Sequence, residues 1–149
     1  MKVLVTYQSK TGFTKQYAEW ISEELKCDLK ELKSVKDVND YDLVIHGGWI
    51  MGGVIKGVKK IKKLDPKKLI VFGVGLTPKK SLNTDKMIKN NKLEDTPFFY
   101  FEGGTNPKKM GIVGRTIVKL VTKKKVTYED NTNKDEIKEL IKKVKSLND

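Results

Sequence analysis

A chain of 149 residues, 38% hydrophobic, suits a single domain spanning 1–149 with a real core and is too apolar to be disordered throughout. Thirty-one Lys and Arg against 19 Asp and Glu leave a net charge of +12, which favours a nucleic acid, an anionic membrane surface or acidic small molecules as partners, although a solvated basic face needs no partner at all. Cys27 is the only cysteine, which excludes a disulfide framework and a CxxC redox or zinc site, and no apolar run approaches the roughly 20 residues of a membrane span, so the expected setting is cytoplasmic with any membrane contact peripheral.

The first element is the apolar run VLVTY at 3–7, read as a strand. It leads into YQSKTGFTKQYAEW, where Ser9, Thr11 and Thr14 crowd around Gly12 before a helix whose Tyr17, Ala18, Ile21 and Leu25 share one face. CDLKEL at 27–32 is a weaker edge strand, LVIHGG at 43–48 a stronger one, and Val54, Val58 and Ile61 then fall on one helical face. LIVFGVG at 69–75 and FFYFEGG at 98–104 are further strands. If residues 110 to 124 are helical, Met110, Val113, Ile117, Leu120 and Val121 form an apolar face, with Arg115, Lys119 and Lys123 roughly opposite. The last helix carries Ile137, Leu140, Ile141, Val144 and Leu147 at helical spacing, after an Asn133–Glu136 pair that resembles a capping box.

The runs are continuous rather than alternating, as in parallel strands covered on both faces. Alternation with helices implies a three-layer, doubly wound α/β sandwich with a five-stranded parallel sheet and right-handed crossovers. Ligands of such sheets bind beyond the carboxyl ends of the strands, so the loops that matter are 8–14, 48–53, 75–80 and 103–109.

The first turn suits a phosphate. A helix N-terminus offers unpaired N–H groups and the positive end of the helix dipole, Ser9, Thr11 and Thr14 add hydroxyls, and Gly12 lets the backbone close on the anion. The plainer reading is that Ser9 or Thr14 caps the helix. No GxxxxGK or GxGxxG follows the first strand, which excludes a P-loop and a dinucleotide fingerprint, and the turn has neither the cysteine of a cysteine phosphatase nor the acids of a phospho-acceptor domain. His46, the one histidine, lies within a strand and reads as a core or sheet-end residue, leaving no acid–base constellation and no catalytic residue to assign.

QSKTGFT resembles the FMN phosphate loop of flavodoxin-like proteins, in which Ser/Thr, any residue, Thr, Gly, any residue, Thr follow one another; Ser9, Thr11, Gly12 and Thr14 occupy those places. The resemblance extends over essentially the whole chain and implies strand order 2-1-3-4-5 and FMN as cofactor. It places the phosphate against Ser9, Lys10, Thr11, Gly12, Phe13 and Thr14. It places the flavin ring against Gly48, Trp49, Ile50, Met51, Gly52 and Gly53 and against Gly75, Leu76 and Thr77. Trp49 supplies an aromatic platform, whereas GLTPKK offers only Leu76, Thr77 and Pro78 on the other side.

YDLVIHGGWIMGGVIKGVKKIKK and FFYFEGGTNPKKM leading into GRTIVKLVTKKK are similar to the branch of quinone-dependent protoporphyrinogen oxidases. That similarity implies an anionic porphyrinogen as substrate and a quinone as acceptor. Arg115, Lys119 and Lys123 would then serve substrate or membrane docking, Arg115 gripping a carboxylate bidentately and the basic segment resting on anionic lipid. Two alternatives stand beside it. One is an electron carrier with a redox-partner protein, against which the charge of +12 weighs because such carriers are generally acidic. The other is an FMN-free basic interaction or nucleic-acid-binding module, although no nucleic-acid motif is present and no specific nucleic acid is expected.

Overall fold

In the computed structural model, residues 1–123 and 126–149 are described, with the side chains of residues 121 and 122 also left aside. Lys124, which ends the helix anticipated at 110–124, and Lys125, which ends GRTIVKLVTKKK, lie outside the described residues, as does the side chain of Val121. The elements run β1 (Val3–Gln8), α1 (Phe13–Leu25), β2 (Asp28–Glu31), β3 (Leu43–Met51), β4 (Val54–Ile55), α2 (Val58–Lys63), β5 (Leu69–Gly75), α3 (Thr84–Asn90), β6 (Phe98–Glu102), β7 (Gly104–Thr105), α4 (Pro107–Thr122), β8 (Glu129–Asp130) and α5 (Lys138–Leu147).

The main sheet has order β2-β1-β3-β5-β6, all parallel, which is the anticipated 2-1-3-4-5 order once the short β4 is set aside. β4 hangs antiparallel on the end of β3, and β7 and β8 pair in a small ribbon of their own. Alternate strand residues serve opposite layers, which is why the runs are apolar throughout. Val3, Val5, Leu43, Ile45, Ile70, Phe72 and Val74 pack with α1 and α5, while Leu4, Val44 and Val71 pack with the layer containing α2 and α3.

The α1 side is the aromatic one. Tyr17 stacks on Phe101 with centroids 4.8 Å apart, and Phe101 meets Phe72 at 5.4 Å, all three fully buried. Each such side chain contributes about 1.5–3 kcal/mol by leaving water. The Tyr17 hydroxyl donates to the Glu102 carbonyl and accepts from the Asn133 N–H, tying α1, β6 and the approach to α5 together. Burial pushes its pKa up to about 12.

Several elements depart from the sequence reading. Val54 does not share a helical face with Val58 and Ile61: it is exposed on β4, and α2 starts only after Gly57. The cause is the Gly52–Gly53 pair, whose positive φ values of 57° and 79° close a two-residue hairpin turn with Met51 opposite Val54. In FFYFEGG the main-sheet strand ends at Glu102, and Gly104 opens the separate ribbon strand β7. The expected capping box is half formed, since Asn133 accepts from the Asp135 N–H but Glu136 turns away to Lys79 at 3.0 Å. α3, which has no long apolar stripe, was not anticipated; Asn83 caps it through the Lys86 N–H.

α4 departs furthest. Gly111 (φ 69°, ψ 173°) breaks it into a first turn, Pro107–Met110, and a longer arm. Val113 and Leu120, assigned to an apolar face, are exposed, and among the described side chains of the arm only Gly114 is fully buried. No helix among the described residues is long and apolar enough to cross a membrane.

Candidate functional site

At the carboxyl end of β1 the chain folds back through Ser9 to Gly12. Gly12 holds φ +99°, a conformation that favours glycine, and its carbonyl accepts the Gln16 N–H to start α1. Ser9 is not the helix cap; its Oγ accepts the Gly12 N–H at 3.1 Å and sets the turn. No side chain caps α1, so its first N–H groups remain available together with the dipole. Among the described residues the hydroxyls of Thr11 and Thr14 have no hydrogen-bond partner within the protein. Phe13 contributes backbone only, because its ring is buried in the core against Tyr128. A Cβ at Gly12 would meet only the Lys109 ammonium, 3.9 Å away, which sits over the turn from the first turn of α4.

The second group of candidates belongs to a strand and hairpin rather than a free loop. Gly48, Trp49, Ile50 and Met51 finish β3, and the Lys56 N–H returns to the Trp49 carbonyl at 2.9 Å. Gly48 is structural: a Cβ there would lie 2.0 Å from the Lys56 carbonyl oxygen. Asn91, buried at the end of α3, accepts the Ile55 N–H at 2.9 Å and donates to the carbonyls of Gly53 and Met87 at 3.0 and 2.9 Å. This clips the hairpin to the body of the protein. Two ammonium groups flank the half-buried indole of Trp49, Lys10 at 5.4 Å and Lys56 at 5.2 Å from its centroid.

His46 lies beneath this strand end, as expected of a core residue. Its Nε2 lies 2.9 Å from the Lys56 carbonyl, which can only accept, so that nitrogen carries the proton and Nδ1 accepts from the Thr6 hydroxyl at 2.9 Å. Burial pushes its pKa down to about 4, so the ring is neutral at pH 7.

The third loop follows β5. The Tyr100 hydroxyl donates to the Thr77 carbonyl at 2.6 Å, and the Gly103 N–H to the Gly75 carbonyl at 2.9 Å, fixing Leu76 and Thr77 at the sheet edge.

One cavity of about 550 Å³ collects these parts. Lys10, Thr11, Phe13 and Thr14 line it from the first turn; Trp49, Ile50, Met51, Gly52 and Gly53 from the hairpin; Gly75, Leu76 and Thr77 from the third loop. Ser9, Gly12 and Gly48 shape its walls without lining it, and Arg115, Lys119 and Lys123 stand outside, exposed on or just after α4. The 103–109 loop named from the sequence supplies Gly103 to the cavity lining and Lys109 over Gly12, although neither residue was singled out, and Lys109's approach to Gly12 depends on how α4 folds back. Sequence reasoning missed Tyr100 and the underside of α4 (Met110, Gly114, Ile117, Val118), which also line the cavity.

These residues fit a flavin mononucleotide. Open N–H groups, two unengaged hydroxyls and a cation converge where a phosphate would sit, and largely apolar walls offer room for a flat ring. Among the described residues no three His, Cys, Asp or Glu side chains are grouped to hold a metal ion.

Comparison with known proteins agrees with this arrangement. A family model described as a flavodoxin domain matches residues 4–133. The flavodoxin-like domain-containing protein BilS of Clostridioides difficile (strain CD3) is 36% identical over 85 residues, covering 49% of this chain and 46% of that protein, so the match spans about half of the relative. Oxidised flavodoxin 2 from Bacillus cereus superposes with a TM-score of 0.50 at 22% identity, over 68% of this chain and 84% of its own. A protein from Bacteroides uniformis ATCC 8492, described as a putative flavoprotein, gives a TM-score of 0.52 at 17% identity, over 83% of this chain and 98% of its own. At such identities these structures speak for the fold, while the family model covers most of the sequence, its first turn and its five parallel strands included: the chain belongs to the flavodoxin domain family.

Proposed function

We propose that this protein binds FMN at the carboxyl edge of its sheet and works as a flavodoxin-like redox protein. The observation that carries the reading is the single cavity joining the uncapped, hydroxyl-lined turn at Thr11–Thr14 to Trp49 and Leu76. The N–H groups of the turn, the Thr11 and Thr14 hydroxyls and the Lys109 ammonium would hold the phosphate. Trp49 would offer the ring an aromatic wall, and the Lys10 and Lys56 ammonium groups beside the indole would favour the negatively charged reduced form. Bound FMN supplies one- or two-electron transfer; the protein supplies placement, exclusion of water and charge.

Within that reading we favour a small-molecule oxidoreductase, of the kind that oxidises an anionic porphyrinogen with a quinone as acceptor, over a pure electron carrier. A carrier needs only an exposed ring edge. Here the cavity continues beneath α4, past Met110, Gly114 and Ile117, and this offers space for a second molecule beside the ring. The exposed guanidinium of Arg115, which donates only to the Gly111 carbonyl in its own helix, has no carboxylate partner among the described residues and can receive one from a substrate.

Both reactions are measured on one FMN-loaded preparation. Protoporphyrinogen oxidation with a menaquinone analogue above the spontaneous rate, with KM raised by Arg115→Gln, is the expected result. No oxidation, together with salt-sensitive turnover of a cytochrome or reductase, would assign the protein to the carriers instead.

A further inference from the structure

We infer that α4 and the rim of the cavity form a docking surface for an anionic lipid bilayer. In a helix that merely closes a sandwich, the apolar stripe faces inward. Among the described side chains of the arm of α4 beyond Gly111, the inward side carries Gly114, which is buried, Val118, which is half-buried, and Ile117, which borders the cavity. Ile112, Val113 and Leu120 are instead 76%, 72% and 73% exposed, and Ile117 is 38% exposed. At about 100° per residue, Ile112, Val113 and Leu120 fall together on one outer sector, with Arg115 and Lys119 adjoining it on the Ile112 side.

The rest of this end of the molecule matches. Apart from Met1, every large apolar side chain exposed among the described residues lies on α4, on the hairpin or third loop that border the cavity (Met51, Val54, Leu76), or at Tyr128 just after α4. Scattered exposed leucines are ordinary; confinement to one end is not. The charge is equally one-sided, since no Asp or Glu occurs from Gly103 to Tyr128, while Lys108, Lys109, Arg115, Lys119 and Lys123 do.

The occupant follows from that combination. A convex apolar ridge flanked by cations sinks into the boundary between headgroups and acyl chains while its lysines reach anionic headgroups. A second copy of the chain would bring the same basic face and another +12 charges against it. An acidic protein meets the cations but requires a matching apolar groove. The surface is a property of the chain and does not depend on flavin, and with α4 on the bilayer the cavity beneath it opens where lipophilic molecules are dissolved.

The test is co-sedimentation of the full chain, with and without FMN, on vesicles of phosphatidylglycerol and phosphatidylcholine against phosphatidylcholine alone, at low and physiological salt. Binding is expected only with phosphatidylglycerol, reduced at least tenfold by Ile112→Asp/Val113→Asp/Leu120→Asp and at least tenfold by Arg115→Gln/Lys119→Gln/Lys123→Gln, with unchanged circular dichroism. Leu120→Asp alone, a fully surface change, is the fallback and should weaken binding measurably. Wild-type protein that stays in the supernatant overturns the inference. So does undiminished binding of the apolar variants, which would leave only attraction by overall charge. A dimer in solution abolished by Leu120→Asp, without sedimentation, would give the face to a second copy and overturn it likewise. Because the FMN-free protein is included, failure here is separable from failure to bind flavin.

Discussion

Thr11 and Thr14 are the residues whose chemistry is least explained by folding alone. A threonine hydroxyl near a helix N-terminus is normally engaged with a backbone N–H, and here Ser9 and Gly12 already close the turn, leaving two hydroxyls and the first N–H groups of α1 for something else. Lys109 adds a positive charge over the same spot. His46 illustrates the opposite case, a polar residue entirely consumed by structure. Its folded pKa of about 4 lies below its ordinary 6.5, so between those values the unfolded chain binds a proton that the native ring refuses. The stability associated with the neutral ring is present above about pH 6.5 and is lost as pH falls toward 4, up to about 3 kcal/mol in all. Urea midpoints should therefore fall more steeply between pH 7 and 4 in the wild type than in His46→Gln; parallel slopes would mean that the ring is not held neutral by burial.

Among elements, the β3–β4 hairpin that presents Trp49 depends on Asn91, which pairs with the Ile55 N–H and the Gly53 carbonyl of the hairpin and anchors them to the Met87 carbonyl of α3. Asn91→Ala is expected to cost roughly 1–3 kcal/mol for each buried group left unpaired and to weaken flavin binding as Trp49 loses its support. A lower denaturation midpoint with unaltered FMN affinity would separate the hairpin from the site. The parallel strands were legible in the sequence because a strand buried on both faces has no polar alternation to obscure it. β4 was not: Val54 sits at a spacing from Val58 and Ile61 that a helix would also give, and only the positive φ of Gly52 and Gly53 decides for a turn. α4 was legible as amphipathic, but not as a helix broken at Gly111 with Val113 and Leu120 turned to solvent, since an apolar stripe by itself does not say what covers it. The first turn was read from its own residues, whereas Lys109 and the cavity's far wall come from chain that is distant in sequence.

At the scale of the whole molecule, a familiar α/β scaffold carries an unusual charge. The net +12 includes cations beside the Trp49 indole, over the phosphate turn and along α4, so the cofactor and its surroundings are bathed in positive potential. That environment favours anionic ligands and disfavours the basic partners that acidic carriers serve. The redox role, in contrast to the charge, depends on the turn at residues 9 to 14 holding the phosphate of FMN. Titration of the flavin-free protein with FMN, followed by quenching of flavin fluorescence, tests it directly. The expected result is one-to-one quenching, far weaker binding of riboflavin, and at least tenfold loss of FMN affinity in Thr11→Ala/Thr14→Ala, because charge-assisted hydrogen bonds contribute roughly 1.5–3 kcal/mol each. Lys109→Gln should weaken FMN while leaving riboflavin unaffected. Absence of quenching, or FMN and riboflavin bound alike by wild type and the double variant, would contradict the account.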